Sequence, residues 1–295
     1  MRKIGFKAHG FIIFDFVPEN ELQTGIQLYN NLRDFINIES SDLFCEKYRC
    51  QNKTDFLQIL NKLKQRVKEK KEIPYIHIEG HSTKKELKLL DNSRIEWSEI
   101  FGHFREINIL AQNNLFFSSG ACEAAHSFKS SSIKKACPIF GLLAPEKKVS
   151  AGEAIDGFIE FFRSLISSDS LSDALNNFSN STDSQKFSLI FSSEIFKSAA
   201  CNYIRENCMG QGRNKRLERL LTEAKEKKPD EPIRKLRKAL KKELYGPQAL
   251  HLKKLHDTFL IIDIFPNNAQ RFIFHAVKFE KAVRDGNIKC LPQKS

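Results

Sequence analysis

Apolar residues in the first half of the chain alternate between two kinds of segment. Short dense runs rich in β-branched and aromatic residues stand at Gly10 to Val17 (GFIIFDFV, closed by Pro18), Pro74 to Glu79 (PYIHIE), Leu115 to Ser118 (LFFS) and Pro138 to Leu143 (PIFGLL). Runs of this length and composition read as buried strands. Between them the apolar positions recur at helical spacing. Leu22, Ile26, Tyr29, Leu32, Phe35 and Ile36 mark a helix within Glu19 to Ile38. Phe56, Ile59, Leu60, Leu63 and Val67 mark a second, with Thr54 as its cap. Ile100, Phe101, Phe104, Ile107 and Leu110 follow Trp97, with Ser98 as cap, and Ala151 to Leu165 is a Phe-rich fourth helix. Lys88 to Glu96 predicts a short hairpin turning on Asp91-Asn92-Ser93. Strands separated by helices of this length pair in parallel, which predicts an α/β three-layer sandwich with a mainly parallel sheet.

The pattern changes near Ser167. Ser167 to Ser193 is rich in Ser, Asn and Asp and reads as loops or short helices. From Phe196 onward the spacing is helical and strongly charged, with breaks at Gly210–Gly212, Pro229–Pro232 and Gly246-Pro247. The run Phe259 to Phe265 fits either a helix extension or a late strand. The expected organisation is therefore an α/β domain over 1–180 and a mainly helical, basic region over 181–295.

Composition narrows the classes. The 295 residues carry 48 Lys plus Arg against 36 Asp plus Glu, a net +12, and 41% of them are hydrophobic. That apolar content supports a sizeable core. Without a long apolar run, a membrane span is not expected. The apolar patch after the basic N-terminus contains Asp15 and ends at Pro18, too short for a signal peptide. Seven scattered cysteines argue against a disulfide framework and for a cytoplasmic setting. The Cys45/Cys50 and Cys201/Cys208 pairs lack metal-site spacing, and no phosphate-binding glycine loop occurs, so neither a metal nor a cofactor is expected. The charge is localised: Arg213 to Lys254 holds 15 basic and 6 acidic residues, a net +9. Few aromatics interleave there, so a solvated face or a docking surface for a regulatory partner protein is preferred over nucleic acid.

Two reactive side chains follow the ends of predicted strands, where sites collect in open α/β sheets. His81 ends the run YIHIEGHS and Cys122 ends LFFSSGAC, 41 residues later. An imidazole beside a thiol can take its proton and leave the nucleophilic thiolate. Backbone N–H groups around Gly80, Ser82, Ala121 and Cys122 are candidate oxyanion donors, and the small Gly120 and Ala121 admit a substrate backbone. Glu79 is an auxiliary candidate for orienting His81 or edging the pocket. His126, four residues past Cys122, is a rival base, and Glu123 is a candidate for favouring basic substrates. His77, mid-strand, reads as structural.

These blocks, Ile73 to Ser82 and Asn114 to Cys122, resemble those of caspase-like (clan CD) cysteine peptidases, in particular the bacterial CHAT type. The hallmark is a hydrophobic strand ending in His-Gly, then a second strand ending in Ala-Cys. The Pro138 to Leu143 strand, the Phe-rich helix and Leu171 to Phe178 continue the likeness, which covers roughly Lys3 to Asn180. The resemblance implies a thiol endopeptidase acting on protein substrates, with Cys122 as nucleophile and His81 as base, of a kind associated with bacterial defence. Ser82 stands where the family usually has glycine, which keeps an inactive interaction module as the alternative. Binding of nucleic acid through residues 213–254 is a further one.

Overall fold

The structure is a computed structural model that describes residues 7–39, 42–129 and 132–288; Arg2, Lys3 and Cys290 lie outside them. The chain divides into two compact units, one of Met1–Ser132 with Ala136–Ser192, the other of Ile133–Lys135 with Ser193–Ser295.

The first unit runs β1 (Gly10–Asp15), α1 (Thr24–Ile38), β2 (Phe44–Tyr48), α2 (Lys53–Lys70), β3 (Pro74–Glu79), β4 (Glu86–Lys88), β5 (Arg94–Glu96), α3 (Trp97–Leu110), β6 (Phe116–Ser119), α4 (Ala125–Lys129), β7 (Gly141–Pro145), α5 (Ala151–Ser168), α6 (Leu171–Ser181) and β8 (Phe187–Phe191). Six strands form one sheet in the order β2-β1-β3-β6-β7-β8. All its pairings are parallel except β7 with β8. β1, β3, β6 and β7 are buried along their whole length. A strand covered on both faces needs apolar residues at successive positions, which is why these segments read as dense runs.

Aromatic packing fills both sides of the sheet. On one face Phe11 and Tyr75 meet Phe162 of α5 edge-on, and Tyr75 stacks on Phe116. On the other, Phe14 meets Phe56 of α2, while Phe117 meets Trp97 and Phe104 of α3. The result is the expected α/β sandwich of three layers.

Several local details differ from expectation. The cap of α2 is Asn52, whose side chain accepts from the Asp55 N–H at 3.0 Å, not Thr54. Ser98 does not cap α3; its hydroxyl donates to Glu96. The fourth expected strand begins three residues late, at Gly141, because Pro138 has no N–H and the Phe140 N–H bonds Leu115 ahead of the ladder. β2 and β8 were not expected. β8 extends the sheet to Phe191, so the first unit continues past residue 180 to Ser192. The hairpin turns where predicted: Asn92 takes φ 65° and Asp91 Oδ1 accepts from the Ser93 N–H.

The second unit contains α7 (Ser192–Cys208), α8 (Gly210–Lys227), α9 (Ile233–Tyr245), α10 (Ala249–Phe259), α11 (Asn268–Arg271) and α12 (Ala276–Arg284). Phe259 to Phe265 forms the end of α10 and the turns after it, not a strand. Phe196, Ile204, Leu252, His256 and Phe259 lie in its core. Cys45, Cys50, Cys122, Cys137 and Cys208 are free thiols, whereas Cys201 is disulfide-bonded. Spacing along a sequence does not report proximity in space, and one cysteine is bridged although no disulfide framework was expected. Among the described residues no helix is long and apolar enough to cross a membrane.

Candidate active site at the carboxyl edge of the sheet

β3 and β6 are adjacent and parallel, with Ile78 opposite Ser119. His81 and Cys122 therefore each lie three residues beyond a paired position, on neighbouring segments of one sheet edge. The segments are tied directly: the Ser82 hydroxyl donates to the Cys122 carbonyl at 2.6 Å. Ser82 thus joins the two loops.

The loop after β3 is held on its other side as well. Gly80, at φ 146°, turns the chain out of the strand close to the Phe16 side chain, a conformation that favours glycine. The His81 carbonyl then accepts from the Lys88 N–H, and Ser82 bridges Leu87. The His81 side chain is 53% exposed, and its Nε2 lies 2.8 and 3.0 Å from the Glu21 carboxylate oxygens. A carboxylate accepts, so Nε2 carries the proton that is shared and Nδ1 is left for another partner. Glu21 comes from the loop between β1 and α1. It was missed in the sequence because its link to His81 depends on β1 pairing with β3, which places both following loops on one edge.

Glu79 does not orient His81. His77 and Glu79 share a strand face, two residues apart, and both point inward. His77 Nε2 meets Glu79 Oε1 at 2.7 Å and its Nδ1 meets Ser118 Oγ at 2.6 Å. The Thr24 hydroxyl donates to Glu79 Oε2 at 2.8 Å. Asp15, on the same face of β1, accepts from the Val17 N–H and from Arg49. Both carboxylates are buried. The polar residues of this face thus gather at the carboxyl end of the sheet beneath the two loops.

The Cys122 segment rests on this cluster. A β-carbon on Gly120 would lie 2.4 Å from Glu79 Oε1. The Ser119 hydroxyl donates to the Ile78 carbonyl and accepts from the Ala121 N–H. Ala121 is therefore engaged rather than offered as an oxyanion donor. No hydrogen bond among the described residues uses the N–H of Ser82 or Cys122. Cys122 is half-buried, and Glu123 after it has φ 61°. A non-glycine residue held there stores roughly 1–3 kcal/mol of strain. Glu123 Oε1 lies 3.9 Å from Lys84 Nζ, so its charge is partly answered within the loops. His126, the rival base, has Nε2 donating to the Glu146 carbonyl at 3.1 Å.

The other thiols are in different surroundings. Burial pushes Cys45, Cys50 and Cys137 up to about 12 and also raises Cys208. At pH 7 a thiol with a pKa of about 12 is ionised to roughly one part in 100,000. No group of three or more His, Cys, Asp or Glu side chains among the described residues is arranged to hold a metal ion.

Fold and site together define an α/β protein with a cysteine and a histidine on adjoining loops at the carboxyl edge of a largely parallel sheet. Compared with family models and with curated proteins, the chain matches none.

Proposed function

We propose that the protein is a cysteine endopeptidase of the caspase-like, CHAT type, acting on protein substrates in the cytoplasm. The observation that carries this reading is the Ser82–Cys122 hydrogen bond across the paired ends of β3 and β6. It fixes the base-bearing and thiol-bearing loops together. In the reaction His81 Nδ1 takes the Cys122 proton, and the thiolate attacks the scissile carbonyl. The tetrahedral oxyanion is met by the N–H groups of Ser82 and Cys122. Collapse expels the amine, which receives the proton from His81, and leaves an acyl-enzyme. Water, deprotonated by His81, then hydrolyses the thioester. Glu21 is a positioning residue that holds the imidazole through Nε2.

Labelling with a thiol-directed acyl electrophile, with sites read by mass spectrometry, tests the proposal. Cys122 is expected to react much faster than Cys137, and His81→Ala to abolish the difference. Glu21→Gln, which can still accept from Nε2, is expected to lower kcat/KM modestly, while Glu21→Ala loses more. If Cys122 reacts no faster than Cys137 and His81→Ala changes nothing, the fold serves as a silent interaction module instead.

A further inference from the structure

The second unit carries a surface whose chemistry is independent of the sheet edge. α8 and α9 form a helical hairpin. Leu217 and Leu221 of α8 are buried, as is Leu244 of α9. Leu236 and Leu240 lie on the same side of α9 as Leu244 and are half-buried. Arg237 crosses to α8 with two bonds to Glu218, at 2.6 and 2.9 Å. The apolar face of α9 is thus occupied within the protein.

Its opposite face is almost purely cationic. At about 100° per residue, Arg234, Lys238, Lys241 and Lys242 fall within roughly 100° of arc. All four are exposed. The helix's one acid, Glu243, lies on a different side. Lys235 is paired with Glu231 and Arg219 with Glu223, but none of those four has an acidic partner among the described residues. Four unanswered cations thus line up along about 12 Å of helix axis.

We infer that this face of α9 binds the phosphate backbone of a duplex nucleic acid. Charge complementarity selects a polyanion, and a duplex offers one negative charge per about 1.7 Å of its axis. An anionic membrane fits less well, because a helix lying in a bilayer surface inserts its apolar face, and here that face packs on α8. A single strand fits less well too, because its bases need aromatic platforms. Tyr245, the one aromatic residue of α9, lies under the Arg213 guanidinium at 3.8 Å. Nothing on the cationic face reads bases, so binding is expected to be indifferent to sequence.

The test is fluorescence anisotropy with the full chain and labelled duplex DNA, duplex RNA and single-stranded DNA, from 50 to 200 mM salt. Four phosphate contacts predict a log–log salt slope near −3.6, or roughly 150-fold weaker binding across that range. Lys238→Gln with Lys241→Gln should bring the slope to about −1.8. The control removes the same charge from exposed positions on α2, Lys68→Gln with Lys70→Gln, and should leave the slope unchanged. Circular dichroism checks that each variant is folded. A flat salt response, an equal loss in the α2 control, tighter binding of the single strand, or binding to anionic vesicles without binding to duplex would each overturn the inference.

Discussion

Gly120→Ala is the sharpest probe of the buried support beneath the Cys122 loop. The added methyl carbon would lie 2.4 and 2.6 Å from the two Glu79 carboxylate oxygens. A carbon–oxygen contact needs about 3.3 Å, so the carboxylate must retreat by roughly 0.9 Å. That retreat stretches its bonds to His77 (2.7 Å) and Thr24 (2.8 Å) out of range. Hydrogen bonds to a charged group are worth about 1.5–3 kcal/mol each, so the variant should lose about 3 kcal/mol or more. Glu79→Ala also destabilises, by leaving His77 and Thr24 without their acceptor, but it vacates the space that the methyl group needs. The double variant should therefore be no less stable than Glu79→Ala alone, a coupling of about 3 kcal/mol. Trp97 is the chain's single tryptophan, is 2% exposed and belongs to the sheet unit. Its fluorescence during urea denaturation reports this unit alone. If the two single-variant costs add to within about 0.5 kcal/mol, the contact between Gly120 and Glu79 does not support the loop as described.

Other outcomes follow from the same structure. Ser82→Ala should cost about 1 kcal/mol of stability and a larger share of Cys122 labelling rate, because it unties the loops rather than the fold. Gly10→Ala places a methyl carbon 2.2 Å from the Phe44 carbonyl and should cost about 1–3 kcal/mol, with hydrogen exchange rising in β2. Burial against Phe196 and Phe274 holds His256 below its ordinary 6.5, with Lys253 and Lys197 adding to that effect and Asp257 opposing it. The unfolded chain then binds the proton more readily, so the stability of the helical unit should fall as pH drops from about 6.5 through the lowered folded value. In His256→Phe, denaturation midpoints should lose that part of their pH dependence.

The parts of the fold legible in the sequence were those buried on both sides. β1, β3 and β6 carry dense apolar runs, broken only by the polar residues that gather toward their carboxyl ends, because helices cover both faces, and the sequence alone places them within a residue or two at most boundaries. β2 escaped because it is an edge strand only partly buried, and Glu46 and Lys47 interrupt its pattern. β8 escaped because its five residues sit in a Ser- and Asn-rich stretch, and its pairing with β7 is long-range. His81 and Cys122 were legible because each ends a readable strand. Glu21 was not, because a carboxylate on an exposed loop acquires meaning only from the strand order. Glu79 bonds His77 and Thr24, not His81, a grouping the sequence did not reveal because it depends on which strands lie side by side.

The strand order has a consequence for how the chain comes together. After β1 and β2 pair, each later strand of the sheet joins an edge that is already free: β3 on the open side of β1, then β6 on β3, β7 on β6 and β8 on β7. None has to be inserted between two strands already joined. The sheet can grow outward during synthesis, each new strand meeting a ready edge, which spares the nascent chain the long search that non-local pairing otherwise imposes. Cys122 reaches the His81 loop only when β6 docks, so in a chain still emerging from the ribosome that loop stands without the cysteine beside it.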